Sequence, residues 1–359
     1  MSITQEIHAA GQSMWLDSIS RELLDSGTIA KYIEELSVTG LTSNPSIFEK
    51  AIANGNDYNA AIQAEQGKGL SVEELFFQVA LKDINEAADL FRPVYDATQG
   101  IDGYVSLEVS PTLANNAEST ISEGKRLFAL ANRPNLYIKV PGTVEGNVAI
   151  EELIFAGVNI NVTLLFSPQH YVASAEAYLR GLERRQEAGL PLNVSSVASL
   201  FISRWDVPTA ADLPEHLANK LGIAIGEQTY EKYCELLASD RWRKLTKAGA
   251  HPQRLLWAST GTKDPSLPDT YYVTAFLAPQ TVNTLPEKTL LAINTLTERG
   301  SLMNQDATAA NEIIQQINNA GINTAELAEQ LQTEGANAFV KSWTNLMSVI
   351  ESYLSSVPK

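Results

Sequence analysis

Gly157-Val158-Asn159-Ile160-Asn161-Val162-Thr163-Leu164-Leu165-Phe166 is the stretch on which the fold turns. Side chains alternate across a strand with period two. Val158, Ile160, Val162 and Leu164 therefore share one predicted face, and Asn159, Asn161 and Thr163 share the other. A strand with one apolar face and one face of amides and hydroxyls suits a parallel barrel. There the apolar face packs on helices and the polar face looks into the lumen. The same parity recurs elsewhere. Leu16 opposes Trp15 and Asp17, and Val105, Leu107 and Val109 oppose Ser106, Glu108 and Ser110. Leu136, Ile138 and Val140 oppose Tyr137 and Lys139.

Working outward, strand-like segments fall at 13–19, 38–42, 103–110, 135–140, 157–166, 193–201, 254–260 and 270–276. Most end in a turn signal such as Asn44-Pro45, Ser110-Pro111 or Pro141-Gly142. Helix-like stretches lie between them, at 145–155, 168–186 and 71–90, the last opened by a capping box of Ser71 and Glu74. Eight strands alternating with helices predict an α/β fold, the (β/α)8 TIM barrel. The competing doubly wound sheet should carry a glycine-rich turn after its first strand, and no GxGxxG occurs. Two regions exceed a minimal barrel: a helical insertion after the second strand, 46–102, and a helical C-terminal extension, 286–359. No Pro/Ser-rich linker divides them from the rest, so residues 1–359 read as a single domain.

Composition narrows the function. Of 359 residues 44% are hydrophobic and 19% charged, which excludes a disordered chain. The net charge of −16 repels phosphate backbones, so nucleic acid is not an expected partner. A small phosphorylated ligand needs only a few local cations. No apolar run approaches the ~20 residues of a membrane helix. The N-terminal residues lack the pattern of a signal peptide, making the cytoplasm the expected location. The single cysteine, Cys234, and four scattered histidines exclude a cysteine-based metal site and make a Ser-His-Asp triad improbable. Lysine and carboxylates are left to carry covalent and proton chemistry.

The polar parity delivers Asp17, Glu108, Lys139, Asn161 and Thr163 to the lumen, near the strand ends where barrel active sites lie. Asn44, Ser199 and Ser259 extend the set. Burying so many polar groups costs several kcal/mol unless they are paired, a cost tolerated most readily at a functional site. Lys139 stands in Leu136-Tyr137-Ile138-Lys139-Val140-Pro141. Apolar surroundings favour the neutral form of an amine, which can attack a carbonyl and form an imine. Glu108 is suited to proton transfer there, and Asp17 to taking a proton from a hydroxyl where a C–C bond breaks. Arg204, after Ser199-Leu200-Phe201, and Ser259 with Lys263, in a glycine-containing turn, suit a phosphate.

These residues, in this order, resemble the transaldolase family. The motifs are Leu16-Asp17, Thr42-Ser43-Asn44-Pro45-Ser46, Val105-Ser106-Leu107-Glu108, Tyr137-Ile138-Lys139-Val140-Pro141-Gly142-Thr143, Asn159-Ile160-Asn161-Val162-Thr163, Ser199-Leu200-Phe201 with Arg204, and Trp257-Ala258-Ser259-Thr260-Gly261. The resemblance continues to Thr281-Val282-Asn283-Thr284-Leu285-Pro286. It implies a metal-independent mechanism without cofactor, acting on sugar phosphates. Lys139 would form the Schiff base, Glu108 would act through a water placed with Thr163, and Asp17 would be the base at the C4 hydroxyl. Asn44 and Asn161 would bind the dihydroxyacetone unit, with Ser199 near its terminal hydroxyl. Arg204 and Ser259 would bind the phosphate.

Shorter family members carry an arginine after the Ser259 position. This chain has Thr260-Gly261 there, as in the longer bacterial subfamily, and Lys263 is the cation the resemblance offers instead. The related fructose-6-phosphate aldolases carry Gln and Tyr where Glu108 and Phe201 stand, which favours transaldolase. A silent barrel serving as a scaffold is the reading from another class. Monomer and homodimer both remain open, as does whether the C-terminal extension covers the barrel mouth or forms an interface.

Overall fold

The computed structural model describes residues 2–53, 55, 57–65 and 68–356. Eight strands close into a barrel in chain order: β1 (Gln12–Leu16), β2 (Val38–Leu41), β3 (Val105–Glu108), β4 (Leu136–Pro141), β5 (Ile160–Leu165), β6 (Ser196–Phe201), β7 (Gln253–Ala258) and β8 (Thr281–Leu285). Every neighbouring pair is parallel, and β8 returns to pair with β1. Closure decides against the open sheet.

Strand parity sorts the core as expected on most strands. Leu16, Val105, Leu107, Ile138 and Val140 belong to the layer beneath the helices. Trp15, Tyr104, Tyr137, Val197, Leu256 and Val282 pack inside the barrel. Gly40 on β2 is required there, because a Cβ would stand 2.6 Å from the Trp15 indole.

Two expectations fail. The eighth strand is not 270–276 but Thr281–Leu285, and most of the expected segment is a short helix, Tyr271–Ala275. Its Tyr, Val, Thr and Phe content mimics a strand. Its buried positions, Tyr272, Val273, Phe276 and Leu277, instead follow helical spacing. The second failure is Leu164. Its φ of 60° is left-handed and the pairing with β6 shifts between Val162 and Leu165. The kink turns Leu164 away from Val158, Ile160 and Val162 and into the inner cluster with Phe166.

At the N-terminal ends of the strands the lumen is plugged. Asp102 accepts from Ser13 Oγ, from Trp15 Nε1 (2.9 Å) and from the Gly103 amide (3.0 Å), and it pairs with Arg254 at 3.6 Å. Tyr104 and Tyr137 stack above, their ring centroids 4.1 Å apart.

Between β2 and β3 run helices Pro45–Ala53, Asn59–Glu65 and Val72–Ala97. Ser71 and Glu74 form the expected capping box on the last of them. After β8 come Glu287–Ile293, Thr308–Asn319 and the long C-terminal helix Thr324–Ser356. The C-terminal helix lies over the C-terminal mouth of the barrel. Gln332 Nε2 donates to the carbonyls of Leu164 (2.9 Å) and Gly142 (3.2 Å). Ser342 Oγ bonds Ser46 Oγ at 2.7 Å, and Trp343 packs edge-on against Phe76 at 5.1 Å.

Candidate active site

A cavity of about 350 Å³ opens at the C-terminal ends of the strands. Its walls bring together Asp17, Asn44, Lys139 and Thr163 with Ser199, Phe201, Arg204, Ser259 and Lys263. The strands set the heights of the inner residues. Glu108, Lys139 and Asn161 are register partners across β3, β4 and β5, so the three stand side by side.

Lys139 and Glu108 are both buried. Lys139 Nζ lies 3.2 Å from Glu108 Oε2 and donates to the Ser43 carbonyl at 3.1 Å. The contact with Glu108 is an ion pair whose angles fall short of a hydrogen bond. Among the described residues neither Glu108 oxygen nor Thr163 Oγ1 has a hydrogen-bond partner. Burial raises the proton affinity of the Glu108 carboxyl; the Lys139 charge opposes this and Asp17 adds to it. A carboxyl whose proton affinity is raised in this way is suited to exchanging protons with a neighbouring group.

Asp17, one residue past β1, accepts from Thr42 Oγ1 at 2.7 Å, and Thr42 Oγ1 also bonds Thr284 Oγ1 at 2.6 Å. Asn44 accepts from the Ile47 amide at 3.1 Å, capping helix Pro45–Ala53 and leaving its NH2 group for the cavity. Asn161 points into the barrel as its parity predicts but, like Glu108, stands behind the cavity wall. It is fully buried, donating to Ser106 Oγ (3.0 Å) and accepting from Ser199 Oγ (2.7 Å).

The opposite wall is cationic. Arg204 is partly buried, which lowers the proton affinity of its guanidinium, with Asp17 opposing. Among the described residues no carboxylate forms a salt bridge with it. Instead it lies over the rings of Phe201 (5.0 Å) and Phe339 (6.0 Å). Ser259 adopts a left-handed φ of 55° and bonds Ser203 Oγ at 3.0 Å. Lys263 lines the rim and is exposed. A desolvated guanidinium, a hydroxyl and a lysine facing one space have the chemistry to bind an anion.

Several cavity residues lie outside the expected site set, Ser46, Lys50 and Phe339 among them. Ser46 and Lys50 project from helix Pro45–Ala53. Their i,i+4 spacing, on a helix that buries Phe48 and Ile52, was a signal available in the sequence. Phe339 comes from the C-terminal helix, 200 positions from Lys139, and no local pattern announces it. Among the described residues no group of three or more His, Cys, Asp or Glu side chains could hold a metal ion. No described helix is long and apolar enough to cross a membrane.

Comparison with known proteins agrees with this geometry. The transaldolase/fructose-6-phosphate aldolase family model matches residues 14–350. The chain is 44% identical to a transaldolase of Thermobifida fusca (strain YX), covering 98% of each protein. It is 43% identical to a transaldolase of Arthrobacter sp. (strain FB24), over 99% of this chain and 98% of the relative. A transaldolase of Trichodesmium erythraeum (strain IMS101) is 40% identical over 96% of each.

Proposed function

The chain belongs to the transaldolase/fructose-6-phosphate aldolase family, and on that premise we propose that it is a transaldolase working through an imine on Lys139. The reaction moves a dihydroxyacetone unit between sugar phosphates. Sedoheptulose 7-phosphate and glyceraldehyde 3-phosphate give erythrose 4-phosphate and fructose 6-phosphate, a step of the pentose phosphate pathway and so of the cytoplasm.

The observation that carries this reading is the buried Lys139–Glu108 pair at 3.2 Å, with Lys139 on the cavity wall and Glu108 behind it. The Lys139 amine adds to the C2 carbonyl of the ketose, and loss of water gives a protonated imine. Glu108 moves the protons of that step through a water held with Thr163, a role that fits their free hydrogen-bonding capacity. Asp17 then takes the C4 hydroxyl proton. The C3–C4 bond breaks, the aldose leaves, and its electron pair remains on the lysine-bound fragment. Attack of that fragment on an acceptor aldehyde reverses the sequence. Asn44 binds the dihydroxyacetone unit from the wall, while Asn161 acts through Ser199, to which it is bonded. Arg204, Ser259 and Lys263 take the phosphate.

The aldolase alternative releases free dihydroxyacetone. Glu108 and Phe201, where those relatives carry Gln and Tyr, weigh against it. The test is borohydride reduction in the presence of fructose 6-phosphate, followed by peptide mass spectrometry. The expected mass gain sits on Lys139, and it disappears in Lys139→Ala and Lys139→Arg together with transfer activity. Trapping that persists on Lys125 or Lys220 would remove the assignment, and no trapping at all would favour a silent scaffold.

A further inference from the structure

We propose that Phe339, on the C-terminal helix, is a positioning residue that reserves the lysine-bound fragment for transfer to an aldehyde and guards it against water. The proposal rests on the imine chemistry above and deepens it.

Phe339 is buried and lines the cavity. Its ring centroid lies 5.6 Å from Lys139 Nζ and 6.0 Å from Arg204 Cζ. One apolar ring thus borders both the nucleophile and the phosphate cation. Its position is set by the helix that bears it. Gln332, Gly335 and Phe339 fall on one helical face at i, i+3 and i+7. Gln332 pins that face to the Leu164 and Gly142 carbonyls. Gly335 lets it descend, because a Cβ there would stand 2.9 Å from Leu164 Cδ2 and 3.2 Å from a terminal nitrogen of Arg204.

After the C3–C4 bond breaks, the fragment on Lys139 has two fates. Its nucleophilic carbon can attack an aldehyde carbon, forming a C–C bond while the new alkoxide takes a proton from Asp17. Alternatively that carbon takes the proton held by Asp17, relayed by a water. In both routes water then adds at C2 and the C–N bond breaks, which returns the free amine and releases the new ketose in the first and dihydroxyacetone in the second. What sets the second apart is the water that must reach the nucleophilic carbon, two bonds from the nitrogen that the Phe339 ring borders. A phenyl ring offers no hydrogen bond to such a water. Its face attracts both cations and holds them in place.

Bulk and ring face separate by substitution. Two rates are measured with fructose 6-phosphate: dihydroxyacetone release without acceptor, and transfer with erythrose 4-phosphate. In Phe339→Ala the release-to-transfer ratio should rise about tenfold, the scale of one well-placed side chain. The KM for fructose 6-phosphate should rise roughly two- to thirtyfold as Arg204 loses a ring. Phe339→Leu should return the ratio toward the parent value without recovering KM, a split that general loosening of the helix would not produce. A ratio at the parent value in Phe339→Ala, or equal ratios in the two variants, overturns the proposal. If Phe339→Ala does not fold, Gly335→Ala, which pushes the same face off Leu164 and Arg204, is measured instead. A raised ratio is then expected, and an unchanged one overturns the proposal. Loss of borohydride trapping in the unmodified protein would refute the imine reading itself, a separate result.

Discussion

Arg204 gives the sharpest test of the phosphate end of the cavity. Its guanidinium is partly buried, forms no salt bridge with a carboxylate among the described residues, and sits between Phe201 and Phe339. Removing a paired arginine would orphan its carboxylate and mix two effects. Arg204→Ala orphans nothing, so its consequence falls on the ligand. Charge-assisted hydrogen bonds of about 1.5–3 kcal/mol correspond to a rise in KM of roughly ten- to hundredfold or slightly more. Lys263 is exposed and offers a hydrated point charge, so Lys263→Ala should raise KM only about two- to fivefold.

The assay is KM for fructose 6-phosphate and for unphosphorylated fructose in each variant. Arg204→Ala should lose its discrimination between the two donors, while borohydride still traps Lys139 at saturating substrate. The burial that lowers Arg204's proton affinity also means that the folded protein bears a cost for this charge. Arg204→Met should therefore melt at the parent temperature or above it. An Arg204→Ala variant with unchanged KM, or one that loses both donors equally, would refute the phosphate assignment. A silent Lys263→Ala beside a defective Lys50→Ala would move the second cation to the Pro45–Ala53 helix, where Lys50 lines the same cavity.

Three further outcomes are expected. Burial raises the Glu108 proton affinity, so its contribution to stability is complete below the unfolded carboxyl value of ~4.3 and is lost as pH rises through the higher folded value. Glu108→Gln should thus gain stability relative to the parent by urea midpoint as pH rises above the ordinary carboxyl value of ~4.3, while turnover falls ~10²-fold; a constant midpoint difference would refute the pH argument. Asp102→Ala, which strips a buried acceptor from Arg254, Ser13 and Trp15, should cost about 3–5 kcal/mol by denaturant melt. KM should stay at the parent value below the melting range, and a specific loss of KM would show that the plug reaches the site. Leu164→Gly should be more stable than Leu164→Ala by about 1 kcal/mol in the same measurement, because only glycine adopts a φ of 60° without cost; the reverse order would refute the strain.

The barrel was legible because its alternation is strict on β1, β3 and β4, where Trp15, Ser106 and Tyr137 face inward as their parity requires. Parity fails where backbone geometry overrides it, at Leu164, and composition misleads where it imitates a strand, at Tyr271–Ala275. On the cavity wall, Asp17 and Lys139 follow from the same alternation. Asn161 shows the limit of that reasoning: parity points a side chain inward but does not say whether Ser106 and Ser199 will consume it first. Phe339 lay beyond reach, since its place depends on how a distant helix docks and on Gly335 admitting it.

The barrel interior is polar and charged at both ends, and that alone does not identify the site. At the N-terminal end the charges are spent on each other: both Asp102 oxygens are engaged, and Arg254 meets Asp102 and the Thr281 carbonyl. At the C-terminal end Lys139 and Glu108 pair at 3.2 Å, yet hydrogen-bonding capacity is left over. The Glu108 oxygens and the Thr163 hydroxyl have no hydrogen-bond partner among the described residues, and Arg204 rests on aromatic faces. Each unspent group costs free energy in the folded chain. A ligand carrying a carbonyl, hydroxyls and a phosphate would recover that cost group by group. The same asymmetry explains why Asp102→Ala should destabilise the protein and spare its KM, whereas Arg204→Met should spare its stability and impair binding.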